Sequence, residues 1–396
     1  MNHSVRVKTT PVILISGDFV PYGGMDAGNW ALARHLATDP NLELHLVAHR
    51  IHDDLTSQPS VRFHQVQKPL RSNFLGFPCI ANKGRQVSRS LQSRGVRTLV
   101  NGGNCSVHDA SWVHYLHAAH QPITGNRTAS RISAWIHHQV YLRCEQRWLP
   151  RNQLVFANSA RTKADILKHY PIEPQRIQVL YYGSDPTRFY PASKQERADI
   201  RTQLGLDPKA AIAIFIGALG DRRKGFDLVY RAWQTLRSRG AFNLNLIVIG
   251  AGQEADHWKT LSAADGLESH IRFLGFRTDV ERWLRASDLM IHPARYEAYG
   301  LAVQEALCCG IPAIVSAHAG VVERFSEALR PLQLNTPESA SELTDKIALW
   351  IKHQSEFAEE ASKVGDVLRE TSWSRMAQQM THLWLSPKTS AEGTAP

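Results

Sequence analysis

The residues in this chain best placed to do chemistry are two glutamates, Glu297 and Glu305, separated by Ala-Tyr-Gly-Leu-Ala-Val-Gln. Gly300 lies between them, and the residues after it have helical character, so a helix start with unpaired N–H groups falls inside the motif. A helix N-terminus attracts phosphate through those donors and its dipole. Two carboxylates beside a phosphate would repel it, so they are expected to face hydroxyl groups instead. A nucleotide sugar offers both kinds of partner: sugar hydroxyls for Glu297, a diphosphate for the start at Tyr299, Gly300 and Leu301, and ribose hydroxyls for Glu305. The spacing alone fits equally well with a carboxylate in a first helical turn and a second one on a solvated helix face.

Other groups add to that chemistry. Gly220-Asp-Arg-Arg-Lys-Gly225 places Arg222, Arg223 and Lys224 before a helix, where a guanidinium fork and an ammonium can neutralise a diphosphate. Gly23 and Gly24 allow a tight turn that brings backbone amides to the end of a strand. His114, His117 and His120 recur at three-residue intervals, but no carboxylate or cysteine stands among them, and no metal site is expected. Gly250-Ala-Gly252 follows a strand without a third glycine, a weak dinucleotide signal. A glycosidase would need its two carboxylates to flank one bond, with an acid of raised pKa, which a phosphate-binding helix start between them does not suit.

Placing these residues requires alternating strands and helices. Apolar runs predict strands at 12–16, 42–48, 61–66, 97–101, 112–116, 154–157 and 176–180, and again at 211–217, 244–249, 271–275, 288–292 and 313–316. Helices are expected at 26–37, 83–94, 128–148, 159–170, 226–236, 300–309, 337–353, 355–370 and 372–384, with Ser159 a cap and Thr278 another candidate cap. Such alternation implies parallel, doubly wound sheets. At 396 residues the chain fits two domains. The expected division is a leader at 1–10, a first domain at 11–181, turn chemistry at 182–192, a second domain at 193–371 and a flexible tail at 388–396.

Glu297–Glu305, followed by Cys309-Gly-Ile-Pro-Ala-Ile-Val-Ser316 and Ala319-Gly-Val-Val-Glu323, resembles the E-x7-E signature of the retaining GT-B glycosyltransferases, family 4. The resemblance is strong from about 154 to 323 and looser outside. It implies a GT-B fold, two Rossmann-like domains facing across a cleft, with the donor held mainly by the second and the acceptor by the first. It also implies that Glu297 holds sugar hydroxyls, that the backbone through Ala302 holds phosphate and sugar, and that Glu305 holds the ribose. Gly23 and Gly24 then face the donor phosphate and acceptor, His117 contacts sugar or acceptor, and Phe276 and Arg277 form the base-binding turn. The last helix, about 372–387, crosses back to the first domain. Ala218 stands where the family usually has arginine, and Tyr182 where asparagine is usual. The implied reaction is retaining and metal-independent, with no cofactor beyond the nucleotide-diphosphate sugar as donor and a glycan, lipid-linked or small-molecule acceptor. The rival from another class is a catalytically inactive protein that binds nucleotide sugar.

Composition narrows the setting. No apolar run approaches the length of a membrane span, and no basic-then-apolar leader precedes Pro11, so a cytoplasmic protein is expected. Five cysteines without C-x-x-C spacing read as reduced thiols. The net charge of +10 is concentrated in the first half, where residues 71–100 carry six Lys or Arg and no acid, and 121–170 carry eight against Glu145 and Asp165. That excess fits a merely solvated basic surface, an anionic acceptor, or peripheral contact with an anionic membrane at its cytoplasmic face, for which Arg127, Arg131, Arg143 and Arg147 are the residues to test. Nucleic-acid motifs are absent.

Overall fold

A computed structural model describes residues 9–107, 109–122, 128–240 and 243–386, and of 128–131 only the helical backbone. The expected leader and tail therefore lie almost wholly outside the described residues, although Thr10 already belongs to a strand.

The first sheet has seven parallel strands: β1 (Thr10–Ile15), β2 (Leu42–Ala48), β3 (Val61–Gln65), β4 (Arg97–Asn101), β5 (Ala110–Val113), β6 (Leu154–Ala157) and β7 (Ile177–Val179). They lie in the order β3-β2-β1-β4-β5-β6-β7. Val12–Ile15 are all buried, as a strand covered on both faces requires. Around this sheet run α1 (Gly24–Ala37), α2 (Asn73–Ser90), α3 (Thr128–Trp148) and α4 (Ala160–His169). The second sheet repeats the pattern with β8 (Ala211–Ile216), β9 (Leu244–Ile249), β10 (Ile271–Gly275), β11 (Leu289–His292), β12 (Ala313–Ser316) and β13 (Gln333–Leu334), ordered β10-β9-β8-β11-β12-β13. Its helices are α5 (Lys194–Gln203), α6 (Phe226–Ser238), α7 (Ala255–Ala264), α8 (Val280–Ala286), α9 (Leu301–Cys308), α10 (Ala340–Lys352), α11 (Gln354–Arg369) and α12 (Trp373–Leu385). In both sheets the strand order reverses beside the first strand, and ligands of open α/β sheets bind at that switch point.

Three expectations need correction. The second helix begins ten residues earlier than its basic stretch predicts, because Ser72 caps it by accepting the Leu75 N–H and its Phe-Leu-Gly-Phe start is helical. β5 spans Ala110–Val113 rather than 112–116, since the chain leaves the sheet at His114 and makes a 3-10 turn at His117–Ala119. Thr278 caps nothing; Asp279 precedes α8 without a side-chain cap. Ser159 does cap α4, accepting the Thr162 N–H at 2.9 Å.

Contacts between the halves are specific. Ser159 Oγ donates to the Ala298 carbonyl at 2.8 Å. The Glu323 carboxylate accepts the Ala160 and Arg161 amides at the start of α4, at 2.9 and 2.7 Å, and the Tyr181 hydroxyl at 2.7 Å. α12 packs on α1, and its Trp384 donates to Asp109, which Arg97 grips with two bonds of 2.9 and 3.0 Å. The loop carrying Glu297 is thus tied to the first half of the chain.

Candidate active site between the two sheets

A cavity of about 650 Å³ lies between the halves, within the range typical of small-molecule sites. Gly23 and Gly24 line it from the first half, and Lys224, Arg223, Phe276, Arg277, Glu297, Tyr299, Gly300, Leu301, Ala302 and Glu305 from the second. Neither His117 nor Arg222 lines it.

The backbone explains the glycines. Gly300 precedes α9 with φ 109°, a left-handed conformation, and a Cβ there would come within 3.1 Å of Val321. The first amides of α9 are therefore left open toward the cavity, with no side-chain cap. Gly225, φ 76°, ends the 3-10 turn Arg222–Lys224 and packs so tightly on Pro293 that a Cβ would lie 2.2 Å from its carbonyl oxygen. That contact holds Lys224 over the end of β11.

The three cations of the turn diverge. Lys224 Nζ is 2.5 Å from Glu297 Oε2. Arg223 bonds Asp221 and the Tyr296 carbonyl, comes within 3.8 Å of the same Glu297 oxygen and sits over the Tyr115 ring. Arg222 turns away to Glu254, with Nε 3.4 Å from Oε1. The expectation that Arg222 joins the site is thus corrected, because a three-residue turn cannot point all three side chains one way.

The two glutamates sit in opposite environments. Burial would raise the Glu297 carboxyl, but Lys224, the His292 hydrogen bond at 3.0 Å and Arg223 outweigh it and hold the group well below the usual carboxylate range. His292 is itself pushed down by burial, so it is neutral, and the proton it shares with an ionised carboxylate must be on Nε2. The Glu305 carboxyl has no hydrogen-bond partner among the described residues, and burial pushes it up to about 8, with Arg188 opposing and Glu281 and Asp185 reinforcing.

His117 is also corrected. Its backbone N–H and ring Nδ1 bond the buried Glu145 carboxylate at 2.8 and 2.9 Å, and its ring stacks on Tyr141. The early end of β5 puts His114 at the cavity instead, bonded to the Tyr182 hydroxyl, to which Asn158 also donates at 3.3 Å. Burial lowers His114 to about 3, so it is neutral. Arg277 lines the cavity, but its guanidinium is committed to Asp279 by two bonds of 2.8 and 2.7 Å. Phe276 is exposed at the rim and meets Tyr22 edge-on across the cleft at 6.2 Å.

Sequence reading missed His114, Asn158, Arg188 and His292 as site residues. His292 carried a signal, a polar side chain ending the apolar strand Leu-Met-Ile-His, and His114 stands in the three-histidine series, whose spacing raises only the question of a metal site. Among the described residues no group of three or more metal-ligating side chains is present.

Two Rossmann-like domains with a cavity at facing switch points define the GT-B architecture, and solved structures share it. WaaG, described as a glycosyltransferase involved in lipopolysaccharide biosynthesis, superposes with a TM-score of 0.76 at 20% identity over 95% of this chain and 100% of that one. Anabaena Alr3699/HepE, solved with UDP and glucose, gives 0.71 at 17% identity over 96% and 100%. Two family models divide the chain between them, Glycosyltransferase Family 4 over residues 22–188 and Glycosyl transferases group 1 over 196–366. The chain belongs to the family 4, group 1 glycosyltransferases. A D-inositol 3-phosphate glycosyltransferase of Corynebacterium aurimucosum is 25% identical over 248 residues, 61% of this chain and 58% of that protein. The chain likewise spans only part of other relatives of that description, 60% of the Corynebacterium efficiens protein and 37% of the Salinispora tropica one.

Proposed function

We propose that this protein is a retaining, metal-independent glycosyltransferase that moves a sugar from a nucleotide-diphosphate sugar to an acceptor hydroxyl in glycan or glycolipid synthesis. The observation that carries this reading is the unlike pair of glutamates lining one cavity on either side of an open helix start. Glu305, free of protein partners, is available to the ribose diol. The first amides of α9, with Gly23 and Gly24 opposite, are available to the diphosphate. Lys224 gives one of its three N–H groups to Glu297 and keeps two for phosphate oxygens. Arg223 adds positive charge without leaving Asp221. Glu297, held ionised, accepts sugar hydroxyls and stabilises the positive charge that grows on the sugar ring as its bond to phosphate breaks.

In the reaction, the anomeric carbon's bond to the phosphate oxygen breaks and a bond to the acceptor oxygen forms on the same face. The acceptor's proton passes to the departing phosphate. Glu297 is too acidic in this setting to donate a proton, and His292, whose N–H is spent on Glu297, positions that carboxylate. Phe276 at the rim takes the base. The acceptor, whether glycan, lipid-linked or small molecule, enters from the side of His114 and Tyr115, and a lipid-linked one would place the protein at the cytoplasmic face of a membrane.

A thermal-shift panel of UDP-, GDP- and ADP-sugars tests the donor, since a ligand at 100 times its Kd adds about 2.7 kcal/mol to stability. The donor so identified should then be turned over, by transfer or slow hydrolysis, in the presence of EDTA. Binding without any turnover would leave a nucleotide-sugar-binding protein; activity restored only by Mn²⁺ or Mg²⁺ would overturn the metal-independent reading.

A further inference from the structure

The outer face of α3 carries an unusual display. Ile132, Trp135 and Ile136 are 56%, 61% and 45% exposed, and Arg143 and Arg147 are exposed further along the same helix. At 3.6 residues per turn all five fall within an arc of about 120°. The face is segregated lengthwise, apolar toward the N-terminus and basic toward the C-terminus. A second element extends the apolar end. Phe74, near the start of α2, stacks on His137 with ring centroids 4.0 Å apart, next to Ile136. Leu75 is partly exposed there, and Leu70, four residues before Phe74, is 90% exposed. Leu70 and Arg71 both have left-handed backbone, φ 50° and 55°, which L-residues seldom adopt.

We propose that this face docks the protein on an anionic phospholipid bilayer, with Leu70, Ile132, Trp135 and Ile136 entering the interface and Arg143 and Arg147 against the phosphates. Trp and branched aliphatic side chains favour that boundary, and basic neighbours add attraction only close to the surface, within a Debye length of about 8 Å. Charge selects the occupant. Arg143, Arg147 and Arg151 pair with no acid among the described residues, and the one acid of α3, Glu145, is buried beneath His117. A second copy of this face would bring arginine against arginine, whereas an anionic membrane complements it.

This places part of the charge that composition left spread over half the chain; Arg71, Lys83, Arg85 and Arg89, on or just before α2, also pair with no acid among the described residues. Arg94 is neutralised by Glu43 and Arg97 by Asp109, Arg161 faces Asp165 and the Tyr296 ring, and none of these is available to a surface. Arg127 lies outside the described residues, as does the side chain of Arg131. The inference is independent of the assigned reaction, because α3 contributes no residue to the cavity.

The test is cosedimentation of the full chain with vesicles of phosphatidylcholine alone or with roughly a third phosphatidylglycerol, at low and physiological salt. The wild type should pellet with the anionic vesicles. I132S/W135S/I136S should bind at least about tenfold more weakly at both salts, and R143E/R147E should lose at least about tenfold at low salt. Vesicles with brominated acyl chains should quench the wild type more than W135F, a comparison that needs no disruptive change. Unchanged melting temperatures and unchanged donor hydrolysis confirm that the variants are folded. Recovery of wild type in the supernatant under every condition overturns the proposal, as does wild-type binding by the triple serine variant. Sedimentation showing that α3 instead mediates self-association overturns it too.

Discussion

The cavity has a cation-rich end and a cation-poor end, and the same residue type behaves differently at each. Glu297 meets Lys224, His292 and Arg223 within 4 Å and stays ionised although buried. Glu305, eight residues on in the same motif, meets no such group and is pushed up to about 8 by burial. Desolvation disfavours both carboxylates, and only neighbouring positive charge reverses it. A carboxylate built into an ion cluster suits a fixed electrostatic task in a reaction. One left without partners suits a ligand that brings its own hydroxyl donors.

Removing Glu297 should separate the two ends most sharply. E297Q leaves Lys224 without its counter-charge and Arg223 with Asp221 alone, and it gives the sugar a neutral amide oxygen in place of an anionic acceptor. Transfer should fall on the order of 10²- to 10³-fold, while calorimetry finds the free nucleoside diphosphate bound within a few-fold of wild type. Equal losses in turnover and nucleotide binding would merge the two ends into one. E305A is the converse: nucleotide binding should weaken by about 0.5 to 1.5 kcal/mol for each hydrogen bond lost, the range for an uncharged group, with turnover at saturating donor less affected. Unchanged nucleotide affinity would remove Glu305 from the ribose.

The smallest effect is on stability. Because Glu305 has a folded pKa near 8, above its ordinary 4.5, the native chain binds more protons than the unfolded one between those values. Stability from this group therefore falls as pH rises from about 4.5 through 8, then levels off. E305Q, which cannot ionise, should melt increasingly above wild type across that window, by a few degrees at most, with no further divergence beyond it. Asp26, raised to about 7 by burial and Asp18, tilts both curves alike and cancels in the difference. A flat difference in melting temperature would mean that Glu305 is solvated as an ordinary surface acid.

Much of this arrangement was legible beforehand, for identifiable reasons. The strand at 154–157 coincides with its apolar run because a strand covered on both faces favours apolar residues throughout, and those at 42–48 and 97–101 were legible from their buried Leu42, Leu44, Leu46, Leu99 and Val100 although Glu43, His45, Arg97, Thr98 and Asn101 interrupt the pattern. Glu297, Gly300 and Glu305 were legible because strand, loop and helix start are consecutive, so their spacing is itself a geometry. His117 misled because β5 leaves the sheet at His114, a boundary decided by the turn that Glu145 holds from 27 and 28 residues away. Arg277 was placed correctly along the chain, but its guanidinium is taken by Asp279 two residues on.

By itself the sequence determined what local order can encode: two runs of strand–helix alternation, a left-handed glycine before a helix, and carboxylates and cations in the loops that follow strands. Tertiary structure alone decided which of those groups meet. Arg223 rather than Arg222 reaches the cavity because the turn packs on Pro293. Tyr182, His114 and Asn158 share one network although they lie on separate elements. The protonation of the two glutamates depends on burial, on the His292 hydrogen bond from β11 and on the charges of Lys224 and Arg223 from the loop after β8, because electrostatic energy follows distance and burial in space, which spacing along the chain does not specify.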